Sequence, residues 1–144
     1  MEKEEPLSDM KNRFNNRLTE LVSVKSQNSQ IFTKTAYMEM IKKVKNSKSK
    51  QTNKTPSDYQ RLRRFDVMTI REVEKLIVPV KEDNVIKYYV HTEEIFDTLR
   101  DLHITIGHGG RNRMEKEVHS KFKNITREMI VIYLNLCMTC QKKH

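Results

Sequence analysis

The residues that most constrain this chain are His103, His108, Cys137 and Cys140, spaced as His-x4-His, then residues 109 to 136, then Cys-x2-Cys. Zinc needs four nitrogen or sulfur donors converging at ~2.0 to 2.3 Å in a tetrahedron, and two closely spaced pairs at the ends of a helical segment can deliver them. A continuous helix would rotate His108 away from His103, but Gly107, Gly109 and Gly110, all 3 glycines of the chain, flank His108 and let the backbone turn back. Cys137 and Cys140 lie close to one face if the helix before them continues. Taken singly, His103 reads equally well as a surface or half-buried histidine of an amphipathic helix, and Cys137 as a small core residue. A redox Cys-x-x-Cys is the competing reading of the cysteines, but its nucleophile sits at a helix N-terminus, whereas an apolar helix precedes this pair. His91, His119 and His144 lack matching partners and read as surface or packing residues, with His119 as the spare ligand.

A structural zinc would supply stabilisation that the composition does not. Of 144 residues 33% are charged and 36% apolar, with no tryptophan, so the core must be small. No run approaches the ~18 apolar residues of a membrane span. The start, Met1-Glu2-Lys3-Glu4-Glu5, is acidic where a signal peptide is basic and then apolar, so the expectation is an intracellular protein. In a reducing compartment two cysteines this close point to metal or redox chemistry rather than to a structural disulfide. The net charge of +9 favours a polyanionic partner, of which nucleic acid is the commonest. Between residues 41 and 66 the nine cations Lys42 to Arg64 face only Asp58 and Asp66. That run reads either as a solvated lysine-rich linker or as a phosphate-binding or nuclear-import segment.

The patterning divides the chain into four segments. Residues 1 to 45 read as helical: Ser8 caps a helix carrying Phe14, Leu18, Leu21 and Val22, and Thr35 or a neighbour starts a second with Tyr37, Met40, Ile41 and Val44, the two suiting a helical hairpin. Residues 46 to 56 read as a basic flexible linker. Residues 57 to 91 read as a short helix through Tyr59, Leu62 and Arg63, opened by a capping box at Ser57 and Gln60. A small β-hairpin or meander comes next over 67 to 70, 76 to 80 and 85 to 90, with Glu82-Asp83-Asn84 as its turn. Residues 92 to 144 read as three short helices: one from Thr92 to Gly107, a second with Met114, Val118 and Phe122, and a third capped by Thr126 and carrying Met129, Ile130, Tyr133, Leu134 and Leu136. The predicted fold is mostly α with a small β-hairpin or meander, ending in a three-helix, helix-turn-helix-like bundle closed by one zinc ion.

Gly107-His108-Gly109-Gly110, the amphipathic helix after it, and Cys137-Met138-Thr139-Cys140-Gln141-Lys142 resemble the histidine/cysteine zinc-binding domain of integrases. The likeness is to the form found in gypsy-type retrotransposons, related DNA transposons and host proteins derived from them. The motif covers about a quarter of the chain. A looser likeness, in Ile86-Lys87-Tyr88-Tyr89-Val90 and Glu94-Ile95-Phe96-Asp97, extends it upstream. The resemblance implies a zinc-held helical bundle that supports multimerisation and contacts terminal DNA, with His103, His108, Cys137 and Cys140 as ligands. This sequence has Phe122 where many gypsy-type members have a Tyr-Trp pair. Nor does it hold the clustered carboxylates that the ribonuclease H-type core of those integrases uses for two-metal chemistry.

These readings lead to a non-enzymatic, nuclear, zinc-dependent nucleic-acid-binding protein, with DNA as the expected partner. Arg111, Arg113, Lys116, Lys121, Lys123, Arg127, Lys142 and Lys143 surround the zinc motif as candidate phosphate contacts. The alternative is a zinc-stabilised interaction or homo-oligomerisation module without DNA binding, which the apolar helix faces would serve. An enzyme is the third reading, and four protein ligands on the zinc would leave it no open position for water or substrate. No membrane and no small-molecule substrate are expected.

Overall fold

The computed structural model describes residues 7–24, 31–107 and 110–137. In chain order they form α1 (Leu7–Val24), α2 (Lys34–Ser49), α3 (Pro56–Arg64), β1 (Asp66–Ile70), β2 (Val73–Ile77), α4 (Thr92–Thr105), α5 (Arg111–Lys121) and α6 (Arg127–Leu136). The protein is thus mostly helical, with one two-stranded antiparallel sheet.

Two cores organise these elements. In the first, Phe14 and Leu18 of α1 are buried with Ile95, Phe96 and Leu99 of α4, Met114 and Val118 of α5, and Met129, Ile130, Tyr133 and Leu136 of α6. The second is an aromatic cluster in which Phe32 stands 6.2, 6.0 and 6.1 Å from the rings of Tyr37, Phe65 and Tyr89. Ile41 and Val44 of α2 and Leu76 of β2 complete it. The expected α1–α2 hairpin therefore does not form. The apolar face of α1 packs on α4 and α6 while that of α2 packs on α3 and both strands, because the C-terminal helices present the larger apolar surface to cover.

Local chemistry explains where elements begin. The first helix opens at Leu7, one residue before the expected cap at Ser8. Thr33 caps α2, its hydroxyl accepting from the Ala36 N–H. The capping box of α3 lies two residues earlier than expected: Thr55 and Asp58 cap each other, and Pro56 takes the first helical position, where its missing N–H costs nothing. His91, not Thr92, is the N-cap of α4, and Gly107 at φ 68 ends the run beyond it. Thr126 caps α6 as expected.

The stretch read as a linker over 46–56 is helical as far as Ser49. Ser47 is fully buried there, donating to Asp58 at 2.7 Å, and Asp58 also accepts from the Lys50 ammonium at 2.9 Å and the Thr55 amide at 2.8 Å. These bonds fasten α2 to α3, so the basic run is anchored rather than loose.

The hairpin also turns elsewhere. Its turn is Arg71-Glu72, both residues at positive φ (50 and 68), the two-residue left-handed turn whose twist suits antiparallel strands. Such turns favour Asn and Gly, so an Arg-Glu pair left no signal in the sequence. Glu82-Asp83-Asn84 does turn, with Asn84 at φ 57, but among the described residues it leads into no third strand. Tyr88 makes a single antiparallel bridge to Ile77 and a parallel one to Phe122. Phe122 packs its ring 6.2 Å from that of Tyr88 and against the first core.

The Tyr88–Val90 segment joins the two cores. Tyr88 donates to the Lys121 carbonyl and accepts from the Lys123 amide, both at 2.8 Å, and Tyr89 donates to the Leu76 carbonyl at 2.9 Å. Buried Asn124 clamps Val90 from both sides, accepting its N–H at 2.9 Å and donating to its carbonyl at 2.8 Å. The Tyr37 hydroxyl donates to the Tyr89 carbonyl at 3.2 Å and accepts from the Leu76 amide at 2.8 Å. Burial, reinforced by the Glu94 charge and opposed by the Leu76 amide, pushes the Tyr37 phenol up to about 12.

Hydrogen bonds from Lys50 foremost, then from Ser47 and Thr55, hold the Asp58 carboxyl well below the usual carboxylate range. A lowered carboxylate pKa adds stability that is fully present above the unfolded value of ~3.9 and is lost as pH falls through the folded value. Urea titrations should therefore show wild type losing its advantage over Asp58→Asn only below about pH 4. A gap between the two that does not narrow in acid would mean that the charge of Asp58 is not what fastens α2 to α3.

Candidate metal centre

Two of the four expected ligands meet. His103 lies in the last turn of α4 and is completely buried, and Cys137 is the C-cap of α6 and 4% exposed. The Sγ of Cys137 stands 3.5 Å from Nε2 of His103. His108 and Cys140 lie outside the described residues. The third helix does not carry Cys137 onto a continuing face as the sequence suggested. It ends at Leu136, and Cys137 takes an extended backbone (φ -76, ψ 108) with its N–H donating to the Tyr133 carbonyl at 3.1 Å.

Helical spacing brings the pair together. His103 falls on the face of α4 that carries Phe96 and Leu99, so it points into the bundle, where α6 presents Tyr133, Leu136 and Cys137. The His103 and Tyr133 rings meet edge to face at 5.4 Å, and Tyr133 also contacts Phe96 at 5.7 Å and Phe14 at 6.5 Å. An imidazole and a thiol are thus walled by aromatic rings in a water-poor corner of the core.

The separation is informative. Two donors on one zinc, with bonds of ~2.05 Å to nitrogen and ~2.3 Å to sulfur at a tetrahedral angle, stand about 3.6 Å apart. A direct S–H···N contact between thiol and imidazole has a similar length. The pair thus suits a metal that accepts nitrogen and sulfur, or a neutral packed contact. Among the described residues no third His, Cys, Asp or Glu joins them to make a metal-binding group. His119, the expected spare ligand, places Nε2 3.2 Å from the Ile125 carbonyl instead, at the start of α6. His91 packs its ring 5.2 Å from Tyr37 in the second core.

The expected phosphate contacts are all on the surface where they are described. Arg111, Arg113, Lys116, Lys121, Lys123 and Arg127 are exposed, and Lys142 and Lys143 lie outside the described residues. Several are neutralised locally: Arg111 and Arg127 share Glu115 at 3.9 and 3.5 Å, and Lys121 approaches Glu117 at 3.7 Å. Sequence reasoning missed the part α1 plays here. Phe14 recurs with Leu18 at helical spacing, but nothing in the sequence says that this face covers Tyr133 behind His103.

Among known proteins, the chain is similar to KRAB-A domain-containing protein 2 of Homo sapiens. The two are 46% identical over 144 residues, which is 99% of this chain and 29% of the human protein. The chain thus spans less than a third of that relative's length. No family model matches the chain, and no solved structure matches it.

Phe14→Ala should expose how far the centre depends on α1. Truncating a buried phenylalanine costs roughly 3 to 5 kcal/mol, to be read from urea unfolding. The loosened wall should also speed alkylation of Cys137 in the metal-free protein. Unchanged stability would show that α1 does not belong to this core.

Proposed function

We propose that this chain is a non-enzymatic, zinc-stabilised nucleic-acid-binding module of the integrase type, with one structural zinc held by His103, His108, Cys137 and Cys140. The observation that carries the proposal is the buried Cys137–His103 pair at 3.5 Å, from the two ends of the spaced motif, with a donor separation that suits a shared tetrahedral ion. The other two ligands come from the motif itself: His108 beside Gly107, whose φ of 68 turns the chain after α4, and Cys140 beyond the extended backbone at Cys137.

Zinc here is a fastener. It ties the end of α4 to the end of α6 across a bundle whose own apolar core is small, and it keeps those helices in register. Nucleic acid is the partner that the net charge of +9 favours, and the nucleus is where such a partner places the protein. Arg113, Lys116 and Lys123 on and beside α5, with Lys142 and Lys143, are the phosphate contacts of this reading. The alternative, a zinc-stabilised association module, drew on the apolar helix faces and on the multimerising role the integrase resemblance implies; of those faces, the ones on α1, α4 and α6 lie against one another.

A mobility-shift series on a DNA duplex tests the proposal. Binding should weaken on the order of 500-fold between 50 and 200 mM salt, the fall expected for about five neutralised phosphates. Stripping the metal with a chelator should weaken it further. Absence of a shift at low salt, or a shift indifferent to both salt and chelator, would overturn the reading.

A further inference from the structure

The cations of this chain fall into two groups. Some have a carboxylate partner: Lys45 reaches Glu74 and Lys48 reaches Asp66, each at 2.6 Å, Lys50 at the end of α2 reaches Asp58 at 2.9 Å, and Lys75 reaches Glu94 at 3.6 Å. A second group converges without acids. Arg63 and Arg64 from the last turn of α3, Lys81 from the loop after β2 and Lys123 from the break between α5 and α6 line one cleft of about 340 Å³, whose other walls include Pro79 and Tyr89. The same two arginines open on their other side into a cleft of about 510 Å³ lined by Ser57, Gln60 and Arg61. No carboxylate lines either cleft among the described residues.

Helix-dipole chemistry accounts for part of this and not for the rest. Arginines in the last turn of α3 complement its partial negative charge. Lys123 likewise follows the C-cap of α5 at Phe122, but Lys81 belongs to no helix end, and the three segments are far apart in the sequence. Four like charges gathered around one concavity repel one another and raise the local concentration of anions. The gathering is also rigid. The Tyr89 hydroxyl donates to the Arg64 carbonyl at 3.0 Å, fixing the end of α3, and the Lys123 amide donates to the Tyr88 carbonyl at 2.8 Å, fixing the break after α5. Neighbouring residues of one segment thus hold cations from both cores in place.

We infer that this Arg63/Arg64/Lys81/Lys123 cleft is a second nucleic-acid contact, which takes the sugar-phosphate backbone where the two cores meet. The inference rests on the nucleic-acid reading above and adds to it Arg63, Arg64 and Lys81, which lie outside the zinc motif and meet its Lys123 at this cleft. The cleft is fit for phosphodiesters: the arginine forks bind phosphate oxygens in pairs, lysines add point charges, and Ser57 and Gln60 in the adjoining cleft add uncharged donors. The mixed secondary structure of its walls offers no element to enter a groove, so the contact positions the backbone and does not read bases.

The test compares salt dependence of binding to a short DNA duplex, and to RNA of the same sequence, for three proteins of verified helicity. They are wild type, Arg63→Gln/Arg64→Gln/Lys81→Gln, which spares Lys123 because it also belongs to the zinc-motif surface, and Lys45→Gln, which removes a cation already paired to Glu74. Each phosphate contact contributes about 0.9 to the slope of log affinity against log salt on duplex DNA, so the triple variant should flatten the slope by about 2 to 3 while Lys45→Gln leaves it unchanged. Lys81→Gln alone, at an exposed loop position, should flatten it by about 1 and keeps the test valid if the triple variant misfolds. A stronger loss on one nucleic acid identifies which of the two the cleft prefers. An unchanged slope in the cleft variants, with wild type still binding, overturns this inference and leaves the proposed function standing. A wild type that does not bind at low salt overturns both.

Discussion

The three residues Tyr88, Tyr89 and Val90 hold the two halves of the protein together, through their backbone as well as through side chains buried in either core. Each N–H and each carbonyl of the segment has a partner: the Lys121 carbonyl and Lys123 amide beside α5, the Leu76 carbonyl of β2, the Tyr37 hydroxyl of α2, and the amide group of Asn124. A buried backbone group without a partner costs about 1 to 3 kcal/mol, so shifting this segment would strand several groups at once. A hydrophilic chain with a small core thus gains through satisfied polar groups the fixed geometry that larger proteins gain from apolar area. The orientation of α2 and α3 relative to the α4–α6 bundle follows from this seam. So does the convergence of cations from both halves on one cleft.

What the sequence made legible tracks what short-range physics decides. The helices of the bundle and the cap at Thr126 arise from periodicity and capping chemistry, and the structure has them, whereas α2 is capped at Thr33, two residues before the Thr35 that the sequence offered. Assignments that depended on partners far along the chain were harder to read. The amphipathic pattern of α1 says that it buries one face without saying against what, and the nearest candidate, α2, was not the one it found. The hairpin turn at Arg71-Glu72 lacks the residues that ordinarily mark a left-handed pair, whereas Glu82-Asp83-Asn84 advertises a turn with no strand after it among the described residues. Ser47 reads as linker in sequence and is buried in the structure because Asp58 and Arg61, a helix away, make its hydroxyl worth burying. The candidate centre divides in the same way: the sequence left His103 as a surface or half-buried residue, and its complete burial and its meeting with Cys137 depend on α6 crossing α4 at the right height.

The two proposed sites place different demands on this fold. A metal centre needs donors held to a few tenths of an ångström, and the proposed pair, His103 and Cys137, lies where the aromatic wall of Phe14, Phe96 and Tyr133 leaves little room for movement. Phosphate contacts need only cations at the surface without competing carboxylates, and the paired lysines of α2 show how readily that condition fails. The zinc reading underlies both, since closure of the bundle sets the relation of α5 and the break after it to the rest of the chain. Native mass spectrometry of the purified, reduced protein, run on wild type and Cys137→Ser, tests it most directly. The account predicts one zinc per wild-type chain, and none, with reduced helicity, in the variant. A wild type that carries no zinc, or a Cys137→Ser protein that retains it, would contradict the account.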